Sequence, residues 1–153
     1  MVSKFCYTVL SLLSPRFWLE WRKLPTPSHL KQVAKTKGST AAIGRSLKIL
    51  LSRLHGDVLL YSYWFSVVAN GAVLAAKENP HALVVTRAHR SDVYEEVNEN
   101  QRIPCRDEFA PMLDMIFPIS EGARTYMLRR YSVRPGSLYV SRLGVECHRA
   151  EAT

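Results

Sequence analysis

Asp57-Val58-Leu59-Leu60-Tyr61-Ser62-Tyr63 and His81-Ala82-Leu83-Val84-Val85-Thr86 bracket a segment, residues 66–78, in which Val67, Val68, Gly71, Leu74 and Ala75 are available for burial. The two outer stretches are near-continuous apolar runs, as in parallel strands covered on both faces of a sheet. The middle segment reads as a helix, and Asn79-Pro80 stops it because the residue before a proline resists the α conformation. A strand, a helix and a strand within about thirty residues make a unit with parallel strands and a right-handed crossover.

The pattern extends in both directions. Upstream, Ile43, Leu47, Leu50, Leu51 and Leu54 share one helical face, and Gly56 closes that helix. Polar breaks are expected at Pro25-Thr26-Pro27-Ser28 and at Lys35-Thr36-Lys37-Gly38-Ser39-Thr40. Downstream, a loop over 88–104 and a short helical piece near 107–113 lead to the strand Met115-Ile116-Phe117-Pro118-Ile119. Ser120-Glu121-Gly122 then opens a helix over 123–131, and Val133-Arg134-Pro135-Gly136 turns into a last strand over 137–142. The alternation predicts an α/β fold, a Rossmann-like doubly wound parallel sheet with flanking helices. Three regions follow: a basic, aromatic-containing segment (1–40), the Rossmann-like body (41–145) and a short tail (146–153).

Hydrophobic content of 47% and charged content of 22% are ordinary for a globular protein, and 153 residues suffice for one domain with a real core. The net charge of +8 is unevenly placed. Residues 1–56 carry ten Lys/Arg against the single acid Glu20, and the rest carries eleven against twelve. The excess predicts an anionic partner for the N-terminal third, a bilayer surface or nucleic acid. Phe5, Tyr7, Phe17, Trp18 and Trp21 among those charges favour the bilayer, where amphipathic rings settle at headgroup level. A solvated basic face with ordinary core aromatics is the alternative. The apolar start from Phe5 to Leu13 is too short to span a membrane and no small-residue cleavage site follows it, so it reads as part of the fold or as an interfacial segment. Three widely separated cysteines, Cys6, Cys105 and Cys147, argue against a disulfide scaffold or zinc site and fit a reducing compartment. No Gly-rich dinucleotide or P-loop signature is present.

The candidate chemistry gathers after the second strand, in Thr86-Arg87-Ala88-His89-Arg90-Ser91-Asp92-Val93-Tyr94. Ligands of open parallel sheets sit beyond the carboxyl ends of the strands. There His89 can act as a base or hydrogen-bond a substrate hydroxyl, and Arg87 and Arg90 suit bidentate phosphate contacts. Asp92 can orient the histidine or accept from a sugar; equally, it can begin the next helical turn. Tyr61, Tyr63 and Trp64 close the preceding strand at the same edge, for stacking or for the core. Ser120, Glu121 and Gly122 form a strand-to-helix junction that either binds a hydroxyl or anion, or simply caps the helix.

Asp57 to Phe65, Arg87-Ala88-His89 with Asp92 and Tyr94, Asp114 to Ser120, and Ser141-Arg142-Leu143-Gly144-Val145 come in an order that resembles the N-terminal domain of GT-B-fold retaining glycosyltransferases of the group 1, family four type. The resemblance spans residues 45–145. It implies one half of a GT-B fold, with His89 the catalytic-cleft residue and Ser120, Glu121 and Gly122 on the acceptor side, to which the residues themselves add Arg87, Arg90, Asp92 and Tyr63 as substrate-binding candidates. It also implies hexosyl transfer from a nucleotide-sugar to a lipid-linked or polysaccharide acceptor, without metal or bound cofactor. Arg90 departs from the family's small residue after the histidine. The donor site belongs to a second domain, expected on another polypeptide or lost from a truncated frame, so this acceptor half is not expected to turn over alone. A cytoplasmic protein, peripheral on the inner face of the membrane and without nucleic acid, follows. A non-catalytic basic module and a non-functional gene fragment remain the alternatives.

Overall fold

In a computed structural model, residues 4–144 are described. Three helices, α1 (Lys4–Ser11), α2 (Pro15–Trp21) and α3 (Pro27–Leu51), precede the strand β1 (Val58–Ser62). Helix α4 (Val67–Ala76) crosses to β2 (Ala82–Ala88), and the short helices α5 (Arg90–Val93) and α6 (Arg106–Phe109) lead to β3 (Met115–Pro118) and α7 (Glu121–Arg130). The sheet is parallel throughout, in the order β1-β2-β3. The expected strand-helix-strand unit is thus present, with Val58 opposite Ala82 and Ser62 opposite Thr86.

Local chemistry fixes the element ends. The hydroxyls of Thr26, Ser66 and Ser120 accept from the N–H groups of His29, Val68 and Ala123, capping α3, α4 and α7. Asp114 sets the start of β3: its Oδ2 accepts from Val84 N at 2.7 Å, and its own N–H donates to Val84 O at 3.1 Å. Gly56 does not close a helix. α3 ends at Leu51, and Gly56, with φ of 81°, turns the chain towards β1.

The polar break expected at 35–40 is also absent, because α3 runs through it. Tertiary contacts override the local signal there. Lys37 pairs with Glu108, Thr40 is buried, and Gly38 is the seat of α1. A Cβ at Gly38 would lie 2.1 Å from Thr8 Oγ1, so only glycine admits so close an approach. The α3–α4 contact has the same character, since a Cβ at Gly71 would come within 2.5 Å of Ile43 Cγ2. The last predicted strand is reduced to a single bridge between Ile116 and Leu138, with Tyr139 N donating to Ile116 O and Ser141 N to Pro118 O.

The sheet is covered on one face. Ser62, Val84, Thr86 and Ile116 point into the core with Phe65, Ala69, Val73 and Met127. Of the alternate residues, Leu59, Leu83 and Met115 stay 63%, 54% and 40% exposed and Tyr61 is half-exposed, whereas Val85 on the central strand is buried and Phe117 half-buried. Cover on both faces, expected from the apolar runs, is therefore not found among the described residues. Strand order explains it. Right-handed crossovers that all step in the same direction stack their helices on the same face. Only a reversal of strand order sends helices to the other side, and β1-β2-β3 contains none. The architecture is a small parallel sheet flanked by helices.

Candidate functional site

The carboxyl ends of the three strands lie side by side, because Ser62 is level with Thr86 and Ala88 with Pro118. Tyr63-Trp64, His89 and Ser120 leave the sheet at that common edge. His89 follows β2 directly and caps α5. Its ring is buried against two aromatic faces, with centroids 4.1 Å from Trp64 and 4.9 Å from Tyr63. Neither ring nitrogen finds a hydrogen-bond partner among the described residues. Buried polar atoms seldom go unpaired, so these nitrogens are open to a ligand or an ordered water.

Asp92 holds this edge together in an unexpected way. Its Oδ2 stands 3.5 Å from His89 Nδ1, too far for a strong hydrogen bond. The same oxygen accepts from the backbone N–H groups of His89 at 3.1 Å and Phe65 at 3.3 Å. The carboxylate therefore orients the histidine through its main chain, and ties the end of β1 to the end of β2. Behind it, Arg106 donates to Phe65 O at 2.7 Å and lies 3.4 Å from the centre of the Phe65 ring. Burial lowers the Arg106 guanidinium to about 10, against attraction from Tyr131 and Asp92. Arg106 escaped the sequence reading, because nothing in Cys105-Arg106-Asp107 distinguishes a buried arginine from a solvated one.

The other predicted residues divide. Tyr63 joins the cluster, with the Arg87 guanidinium 6.0 Å from its ring centre. Arg87 donates to Ser141 O at 2.7 Å, fastening the segment beside β3, while its buried Nε has no hydrogen-bond partner among the described residues. Arg90 is exposed and makes no ion pair among the described residues. The Ser120 hydroxyl caps α7, Glu121 and Gly122 are exposed, and a Cβ at Gly122 would sit 3.5 Å from the Tyr94 hydroxyl. Gly122 lines a cleft of about 690 Å³ with Tyr94, Tyr126 and Arg129, and His89 does not line it. The structure thus joins Tyr63, Arg87, His89 and Asp92 at one place and sets Gly122 in the lining of another.

Cys105 is buried, and burial pushes its thiol up to about 12, so it is no nucleophile in the folded chain. Cys147 and His148 lie outside the described residues. No three His, Cys, Asp or Glu among the described residues are grouped so as to hold a metal ion. No described helix is long and apolar enough to cross a membrane. No family model, curated protein or solved structure significantly matches this chain.

Proposed function

We propose that this chain is the acceptor-binding half of a GT-B-type retaining glycosyltransferase, a doubly wound domain in the complete enzyme, with His89 in its cleft. The observation that carries the reading is the buried imidazole at the carboxyl end of the central strand, packed against Tyr63 and Trp64, with no hydrogen-bond partner for either nitrogen among the described residues and Asp92 Oδ2 3.5 Å from Nδ1. Aromatic faces stack on the apolar side of a sugar, and an imidazole meets its hydroxyls. Asp92 and Arg106 keep the histidine at the strand end, and Arg87 and Arg90 provide cations for an anionic leaving group. One such half neither excludes water nor aligns a donor, so turnover needs a nucleotide-sugar site beyond the described residues. The reading places the protein in the cytoplasm.

The uncovered sheet face fits this reading, because a further winding of the sheet would bury Leu59, Leu83 and Met115. Saturation-transfer NMR with a panel of hexose oligosaccharides tests it. The chain is expected to contact a glycan, and His89→Ala or Trp64→Ala to abolish the transfer. A glycan contact indifferent to both variants, or micromolar binding of a nucleotide-sugar by this chain alone, would sink the half-enzyme reading.

A further inference from the structure

Helix α1 sets a polar residue inward: Thr8 lies over Gly38 of α3, next in sequence to the half-buried Tyr7, and Ser11 Oγ donates to Thr8 O at 2.7 Å. The opposite face carries Cys6, Val9, Leu10 and Leu13, a run of i, i+3, i+4 and i+7, and all four are exposed. Leu13, at the corner between α1 and α2, is 80% exposed, and Leu19 on α2 is 61% exposed. A helix against water buries its apolar stripe. This one presents that stripe outward.

The corner is built as a fixed wedge. The N–H groups of Leu12, Leu13 and Ser14 donate to Val9 O, Leu10 O and Ser11 O, Pro15 has no N–H, and Phe17 N donates to Ser14 O. The indole of Trp18 donates to Leu12 O at 2.8 Å, and Phe17 is fully buried beneath. Paired backbone groups are the condition for entering a medium without water. On the α2 side Arg16 and Lys23, with Lys37, pair with Glu108 and Asp107, and cations unpaired among the described residues flank the wedge on α3. The α3 face that seats α1 at Gly38 also carries Lys31, Lys35 and Arg45, all exposed and in no ion pair among the described residues. The only acid of the N-terminal third, Glu20, is buried, where it accepts from Lys23 and from Cys105 N.

We infer that the α1–α2 corner docks on an anionic bilayer surface, with Leu10, Leu13, Trp18 and Leu19 entering the headgroup boundary and Lys31, Lys35 and Arg45 on lipid phosphates. Charge complementarity selects this occupant. A second copy would bring the same cations face to face, and like charges repel. The inference is independent of the glycosyl-transfer reading, since none of its residues belongs to the His89 edge.

Co-sedimentation of the full chain with vesicles of phosphatidylcholine, with and without 30% phosphatidylglycerol, tests it. Binding is expected only with the anionic lipid, falling steeply with added salt. Leu13→Asp is expected to weaken it at least tenfold. Lys35→Gln with Arg45→Gln is expected to weaken it about twenty-five-fold, at roughly fivefold per cation. These side chains are exposed, and unchanged circular dichroism will confirm that the variants fold. Equal binding to neutral vesicles, absence of binding, or Leu13→Asp converting a dimer into a monomer would each overturn the inference.

Discussion

Replacing Asp92 by alanine removes an acceptor that two backbone donors share. The N–H groups of Phe65 and His89 reach its Oδ2 at 3.3 and 3.1 Å, and both residues are buried. A hydrogen bond to a charged acceptor contributes about 1.5–3 kcal/mol, and a buried donor left alone loses a comparable amount. Both distances are on the long side of the usual range, so the lower figure applies to each. The loss is then about 3 kcal/mol, a large part of the 5–15 kcal/mol typical of a folded domain. Asp92→Asn keeps a carbonyl oxygen in place and forfeits mainly the charge, so about 1 kcal/mol is expected.

Urea unfolding followed by circular dichroism reads this directly. At an m-value of about 1–3 kcal/mol/M, the alanine variant should move its midpoint down by about 1 M or more and the asparagine variant by a third as much. Amide exchange at Phe65 and His89 should accelerate in the alanine variant, because both protons lose their acceptor. An alanine variant within about 0.5 kcal/mol of the parent, or one whose two amides keep their protection, would refute the clamp.

The remaining predictions concern packing and titration. Gly71→Ala forces a methyl to within 2.5 Å of Ile43 Cγ2 and 3.1 Å of Gly44 N. Overpacking should exceed the helix-propensity gain of about 1 kcal/mol, for a net loss of about 1–2 kcal/mol in thermal unfolding. Gly136→Ala, whose Cβ would meet nothing within 4 Å, should be neutral and serves as its control. Burial keeps the Cys105 thiol protonated in the folded chain to about 12, whereas an unburied thiol titrates near 9.0. Between those values the folded state binds more protons than the unfolded one. Stability is therefore intact below pH 9 and should fall as pH rises, by up to about 1.4 kcal/mol per unit. The raised Tyr131 phenol adds to the decline above pH 10. Urea midpoints at pH 8 and pH 10 should show the fall and Cys105→Ala should lessen it; an equal fall in that variant would count against the assignment.

The parallel unit was legible because its signals are local. Apolar runs, the stop at Asn79-Pro80 and Ser120 as a cap each act over a few residues, and the elements formed where those signals lay. The polar run 35–40 misled for the opposite reason. Its glycine and its lysine serve partners at Thr8 and Glu108, far away in the chain, and no window along the sequence sees them. The same holds at the His89 edge. That His89, Asp92 and Tyr63 would meet follows from strand ends in register. That Asp92 would bind main-chain N–H groups rather than the imidazole depends on the turn after β1, which brings Phe65 N to it. Arg106 behind Phe65 was invisible for that reason too.

An apolar run also left open which face is covered, and that ambiguity bears on function. Leu59 and Leu83 look the same in sequence as Leu60 and Val84, yet the first pair is open and the second faces the helices. The helix α1 shows the complementary ambiguity, since an amphipathic stripe does not say which way it points. The two open apolar surfaces lie on opposite sides of the packing order, α1 on α3, α3 on α4, and α4 on β1 and β2. They also differ in kind: Lys31, Lys35 and Arg45 lie along the first, whereas the second runs to the strand ends at Tyr63 and His89. If the first takes an anionic bilayer, the second points away from it. A further winding of the sheet or a second polypeptide can then cover Leu59 and Leu83 without displacing the bilayer, and closes over the His89 edge from the aqueous side. The two apolar surfaces therefore do not compete. On the half-enzyme reading, a chain saturated with anionic vesicles should still protect Leu59 and Leu83 when a donor half is supplied.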